Sequence, residues 1–198
     1  MVGDTMKTRY STILADPPWP YDSPRAIVGN AGRGSQGGRA AEMTQVDVTD
    51  HYPTMSIPEI KALPVLSRVE DNAHLYLWVT NAFLVEAHDI ARAWGFNPKT
   101  LITWVKVKAD GTPSMKTGYY YRGATEHMLF CVRGSMRLEG PPAPTAFMSL
   151  RLPHSVKPEW AYELIEQQSP YPVLELFARR DRVGWDAWGN ELSTSIEL

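Results

Sequence analysis

The chain has 198 residues, 43% of them hydrophobic and 21% charged, with a formal net charge of −2. That suits one soluble domain with a sizeable core, and it argues against a free-standing duplex binder, which neutralises phosphates with an excess of Lys and Arg. The one cysteine, Cys131, excludes a disulfide framework and a cysteine-rich zinc site; with a polar Met1–Arg9 and no apolar run of membrane-spanning length, the sequence reads as cytoplasmic, with no membrane partner.

Tyr10–Ala15 is a short apolar run that ends abruptly at Asp16 and two prolines, as a buried strand stopped by proline does. Residues 20–50 are rich in Gly, Ser, Arg and Asp without periodicity and read as a flexible active-site loop. Ser56-Ile57-Pro58-Glu59 has capping-box spacing with proline in the first turn, so a helix is expected from there toward Ser67. Ala73–Thr80 reads as a strand. Asn81 is the expected cap of a helix whose apolar stripe is Phe83, Leu84, Ala87, Ile90, Ala91 and Trp94, ended by Gly95.

Thr100–Lys108 and Glu126–Val132 read as strands, and Asp110-Gly111 between them as a turn. Pro158–Gln168 is an expected helix, stopped before Ser169-Pro170. Val173–Phe177 is a strand, and Gly184–Trp188 a last short one. Alternating strands and helices predict an α/β sheet in one domain, 1–198. In such sheets ligands bind beyond the carboxyl ends of the strands. Two ends carry polar groups: Asp16 after the first strand, and Ala178-Arg179 after Val173–Phe177. They are far apart in sequence but can be neighbours in one crevice.

Asp16-Pro17-Pro18-Trp19 is the segment whose residue types suggest chemistry. Asp16 offers a carboxylate and Pro17 a backbone carbonyl. The prolines fix their own φ and push the residue before each toward extended geometry. They also remove N–H donors that would compete for those acceptors. Two preorganised acceptors suit a group that donates two N–H bonds, such as an aromatic exocyclic amine. Trp19 is expected to give a flat surface on which a base can stack.

The order and content of several segments resemble the DPPW adenine-amine methyltransferases. They are LADPPW at 14–19, YPTM at 52–55, LYLWVTN at 75–81, WGF and WVK near 94 and 104, EH at 126–127, SVKPEW at 155–160 and ELFARRDRVGWDAWGNE at 175–191. The resemblance implies a permuted Rossmann-like methyltransferase fold, with the catalytic strand first and the cofactor strand late. It implies S-adenosylmethionine as methyl donor and the N6 amine of adenine in nucleic acid as acceptor, DNA being favoured over RNA. Asp16, Pro17, Pro18 and Trp19 would form the catalytic segment, and Tyr21, Tyr52 and Glu126 would meet the substrate. Asp16, Lys157, Arg179, Asn190 and Glu191 would meet the cofactor. Where the messenger-RNA enzymes have Pro-His-Asn, this chain has Arg180-Asp181-Arg182, so contacts from that stretch are not carried over.

Read without the resemblance, Glu191 can accept from a cis-diol, and Lys157 stands where a helix N-terminus attracts anions. Their bland readings are a solvated acid and a surface lysine.

Gly32–Gly37 fits G-x-G-x-x-G but neither follows a strand directly nor opens a helix, so it is no dinucleotide fingerprint. Arg25, Arg33 and Arg39 fit a lid that meets phosphates, or a solvated segment. His127 and Cys131 read as core packing, and no metal is expected. The alternatives are RNA methylation, a non-catalytic partner subunit of a heterodimer, and a nucleotide binder using the Gly-rich loop. A chain of this size suggests a homodimer or a partner subunit for target reading.

Overall fold

The computed structural model describes residues 8–20, 54–116, 120–153, 156–190, 192 and 196–198. The Gly-rich segment Gly32–Gly37 lies outside them, as do Arg25 and Arg39, Tyr21, Tyr52, Glu191 and nearly all of the loop expected at 20–50. Within the described residues the chain forms β1 (Tyr10–Ala15), α1 (Ile57–Ala62), a 3₁₀ turn (Val65–Arg68) and β2 (Val69–Val79). A second 3₁₀ turn (Asn81–Phe83), α2 (Leu84–Ala93), β3 (Asn97–Val107) and β4 (Thr125–Arg133) follow. The chain continues through β5 (Ala146–Leu150), α3 (Glu159–Gln168), β6 (Val173–Leu176) and β7 (Trp185–Trp188).

The strands form one sheet in the order β5-β3-β4-β2-β1-β6-β7. β1 is parallel to β2 and β6, β6 to β7, and β3 to β5. Only β4 runs antiparallel to its neighbours β2 and β3. One edge of the sheet therefore collects the carboxyl ends of six strands and the start of β4. β1 lies between β2 and β6, so the chain leaves it toward one side and returns on the other late in the sequence. This is the permuted Rossmann-like α/β arrangement, catalytic strand first and cofactor strand late.

Both faces of the central strands are covered, which is why they read as nearly continuous apolar runs. Ile13, Ala15, Leu75 and Leu77 pack against Ile60 of α1 and Ala87, Ile90 and Ala91 of α2. Leu14, Tyr76 and Trp78 pack on the other face against Ala161, Tyr162, Leu164 and Ile165 of α3. The aromatic rings of Trp78, Trp104 and Trp160 meet edge to face beside that second core.

Several boundaries differ from the sequence expectation. α1 has the expected cap: Ser56 Oγ accepts from the Glu59 N–H, and the Ser56 N–H donates to the Glu59 carboxylate at 2.7 Å. It ends at Ala62, short of Ser67, because Leu63 precedes Pro64 and is held extended, ψ 135°. Asn81 does not cap α2. Its side-chain oxygen meets His127 Nε2 at 2.6 Å, and the N-cap is Phe83, without a side-chain bond. Gly95 does end α2, at φ +83°, and a β-carbon there would collide with the Arg133 guanidinium. β5 lies in a stretch for which the sequence suggested no element.

Candidate active site

The expected crevice forms because β1 and β6 are direct neighbours. Ala15 pairs with Leu176, and the Asp16 N–H reaches the Leu176 carbonyl at 3.5 Å. Asp16 shares a sheet face with Leu14 two residues earlier, the face covered by α3. α3 runs back against the strands, so its start lies at the same edge. That brings Lys157, two residues before α3, to Asp16: Nζ stands 2.8 Å from Oδ2. The same Nζ lies 3.7 Å from Glu126 Oε2 and 5.2 Å from the centre of the Trp78 ring. Lys157 is thus no surface lysine, its side chain being only 13% exposed.

Glu126 enters because β4 is antiparallel, so its first residues lie where other strands end. It pairs in register with Trp104. Its carboxylate bonds to Lys106 of β3 and lies 4.0 Å from Lys116 Nζ. Burial pushes the Glu126 carboxyl up, but Lys157, Lys106 and Lys116 outweigh it and hold it below the usual carboxylate range. Burial lowers the Lys106 ammonium, and its bond to Glu126 opposes that. Two carboxylates and three ammonium groups are thereby interlocked over an indole floor. Sequence reasoning did not single out Lys106 or Lys116. The usable signal was a lysine two residues after Trp104, on the same strand face.

The proline segment is pinned at three points. The Trp19 N–H donates to the Pro17 carbonyl at 2.9 Å, the Met55 N–H to the Pro18 carbonyl at 2.9 Å, and Trp19 Nε1 to the Trp78 carbonyl at 3.2 Å. A carbonyl oxygen has two lone pairs, so Pro17 retains acceptor capacity. Trp19 differs from expectation. It is 4% exposed, belongs to the core under α1 and α2, and stacks on Phe83 with centroids 5.2 Å apart. The ring anchors the segment and is not an open platform. Its position is set by Pro17–Trp19 turning across the end of β1, which sequence alone does not show.

His127 also departs from simple core packing: beside its Asn81 contact, Nδ1 lies 3.0 Å from Thr103 Oγ1. Cys131 is fully buried, as expected, and burial raises its thiol to about 12.

The second half of the crevice is made by the turns after β6 and β7. Leu176 pairs with Trp188, so Arg179 and Asn190 stand on adjacent turns. The Ala178 N–H donates to the Trp188 carbonyl at 3.0 Å. A β-carbon on Gly189 would lie 2.1 Å from the Ala178 carbonyl oxygen. Phe177 adopts φ +63°, a region that costs a non-glycine residue roughly 1–3 kcal/mol and concentrates at functional sites.

Beneath this turn, Glu175 is buried in β6 and accepts from the Tyr162 hydroxyl at 3.2 Å. Burial raises its carboxyl to about 7, with the nearby Asp16 charge adding to the rise. Arg182 binds Glu159 and, at 2.8 Å, Glu166, holding the Arg180-Asp181-Arg182 stretch against α3.

This mixed, mostly parallel sheet carries the Asp16 carboxylate and the Pro17 carbonyl where the chain leaves β1 toward one side and returns on the other, the place where open α/β sheets bind ligands. The chain belongs to the MT-A70 family, whose model matches residues 10–191. A type II methyltransferase, M.MunI, of Mycoplasma sp is 28% identical, over 97% of this chain and 82% of that protein. The human N(6)-adenosine-methyltransferase catalytic subunit METTL3 is 26% identical over 93% of this chain but 28% of its own length. The N6-methyladenosine RNA methyltransferase MTA1 of Cryphonectria parasitica is 27% identical over 92% and 52% respectively. The chain thus spans most of the bacterial relative and about half or less of the eukaryotic ones. No helix among the described residues is long and apolar enough to cross a membrane.

Proposed function

We propose that this protein transfers a methyl group from S-adenosylmethionine to the N6 amine of adenine in nucleic acid, DNA rather than RNA. The observation that carries the reading is the Asp16 carboxylate beside the Pro17 carbonyl at the β1–β6 switch point, locked by Lys157 at 2.8 Å. Adenine's amine is a weak nucleophile because its lone pair is spread into the ring. Asp16 accepts one N–H and Pro17 the other, which draws the nitrogen toward tetrahedral geometry and frees its lone pair. Once alkylated, the nitrogen sheds a proton, and Asp16, already bonded to that N–H, is its acceptor. Glu126, held by Lys106, Lys116 and Lys157, faces the same edge and orients the base. The amine must leave its base pair to reach these acceptors.

S-adenosylmethionine supplies an electrophilic methyl group on a cationic sulfur. The chain fits it: the backbones after β6 and β7 meet at Gly189 with no room for a side chain, and the buried Trp78 indole N–H has no acceptor among the described residues. Lys157, Arg179 and Asn190 would hold it, with Glu191 following Asn190 in sequence. DNA is favoured because the type II methyltransferase is matched over more of its length than the relatives named for RNA or adenosine. The intact Asp16–Trp19 segment, with Lys157 seated on Asp16, favours an active subunit over a silent one. A homodimer or partner subunit would complete target reading.

The test is transfer of labelled methyl from S-adenosylmethionine to single-stranded DNA, duplex DNA and RNA, with Asp16→Ala beside the wild type. Label on adenine is expected, reduced about 10²-fold or more in the variant. An unchanged rate in Asp16→Ala removes the assigned role; label on RNA alone reverses the choice of polymer.

A further inference from the structure

We propose that Arg182 is a positioning residue for the methyl donor: it fastens the connection between β6 and β7, on the donor side of the crevice, to the first turn of α3. The inference rests on the proposed function and concerns how its donor site is held. It uses the stretch Arg180-Asp181-Arg182, where the sequence departs from the messenger-RNA enzymes. The connection's backbone ties to β7: the Ala178 N–H donates to the Trp188 carbonyl at 3.0 Å and the Trp185 N–H to the Arg182 carbonyl at 3.1 Å. Its tie to α3 runs through side chains.

Arg182 Nε donates to Glu166 Oε1 at 2.8 Å, and Nη1 donates to Glu159 Oε1. Arg180 Nη2 takes the other Glu159 oxygen at 3.2 Å, and Trp185 Nε1 shares Glu166 Oε1 at 3.1 Å. The Arg182 guanidinium lies 4.7 Å from the centre of the Tyr162 ring and 5.6 Å from that of Trp185. Its side chain is 20% exposed, so this is no solvated surface pair but a planar fork set on two acids and two rings. A lysine ammonium, a point charge, cannot make the same set of contacts.

The far end of this tie is the acceptor side. Glu159 is the first residue of α3, and Lys157, two residues earlier, stands 2.8 Å from Asp16. Tyr162, beneath both guanidinium groups, donates to Glu175, which pairs in register with Leu14, two residues before Asp16. One helix start is therefore fixed to Asp16 through Lys157 and to the β6–β7 connection through Glu159. Methyl transfer needs donor and acceptor aligned to a fraction of an ångström. Phe177, at φ +63° where the connection begins, is a strained residue that persists only where its surroundings over-determine it.

The test is calorimetry of S-adenosylmethionine binding to the full chain, with steady-state methyl transfer beside it. Arg182→Ala should weaken the donor about tenfold and raise its KM to match, with the KM for oligonucleotide unchanged. Glu159→Gln should act in the same direction, and the two changes together should weaken the donor by less than the product of their separate effects, because they cut one contact. Arg182→Lys, which keeps the charge without the fork, should recover the fold and not the affinity. Arg133→Ala, which cuts bonds to Glu70 and Gly95 at the opposite edge of the sheet, is the control for lost stability and should leave donor affinity as in the wild type. Unchanged affinity in Arg182→Ala, or full affinity in Arg182→Lys, overturns the proposal. So does an equal loss of affinity in Arg133→Ala, or a loss confined to the KM for oligonucleotide. A wild type that binds no S-adenosylmethionine overturns the proposed function and this inference with it. A wild type that binds it and methylates adenine, while Arg182→Ala binds it equally well, overturns the positioning role alone.

Discussion

The two faces of the sheet reach the same edge and end there differently. On the α3 face the edge is charged: Asp16, Glu126, Lys106 and Lys157 crowd over Trp78 and Trp104. On the α1–α2 face the edge stays apolar, with Trp19 stacked on Phe83 above Ala15 and Val79. One four-residue segment feeds both faces, Asp16 going to the first and Trp19 to the second. A single motif therefore divides into a charged end and an anchoring end, and under the proposed function its two ends should fail in different ways when changed.

The largest expected effect is on the anchoring end. Trp19→Ala removes a buried indole and should destabilise the fold by about 3–5 kcal/mol, read as a fall in denaturation midpoint. Asp16→Ala should leave that midpoint nearly in place while the methyl-transfer rate falls. Equal midpoints for Trp19→Ala and Asp16→Ala would break the division.

Next comes Glu175, the buried acid beneath the charged face. Its folded carboxyl lies at about 7 against an ordinary 4.5, so the fold favours the protonated form. That contribution is full below about pH 4.5 and is lost as pH rises through about 7. Glu175→Gln should gain on the wild type over that window by up to a few kcal/mol. Melting temperatures across the window check it, and a constant difference between the two proteins would mean an ordinary carboxyl.

The smallest effect expected is at Gly189. Gly189→Ala places a methyl against the Ala178 carbonyl and must shift one turn. Overpacking of about 1–3 kcal/mol is expected to fall mainly on cofactor affinity, weakening S-adenosylmethionine about tenfold or more by calorimetry. Unaltered affinity would place the donor pocket elsewhere.

Much of this frame was legible in the sequence. β1 was bounded by a buried run and two prolines, and β6 by an apolar run between Pro172 and the arginines; both elements appear with nearly the expected limits. α1 was recognisable from Ser56 and Glu59, but its end depended on Pro64. β5 escaped because it is an edge strand: Ala146, Met148 and Leu150 point to solvent and only one side pairs, so no continuous apolar run marks it. Of the site, the contact of Lys157 with Asp16 needed the sheet order, since 141 positions separate them. Glu175 could have been noticed as an acid inside a buried strand. Trp19 could not, because a tryptophan after two prolines suits an open ring as well as an anchored one.

The reversed direction of β4 has a consequence for how such a protein can change. Glu126 is the second residue of a strand fixed on both sides by its neighbours, and the chain before it is a loop held by a few backbone bonds. That loop can gain or lose residues without moving the Glu126 backbone, because slack introduced there is absorbed ahead of the ladder; only Lys116 ties it to the Glu126 carboxylate among the described residues. Under the proposed function, the geometry around Asp16 and Glu126 is set by the sheet ladder and is inherited while this hairpin varies.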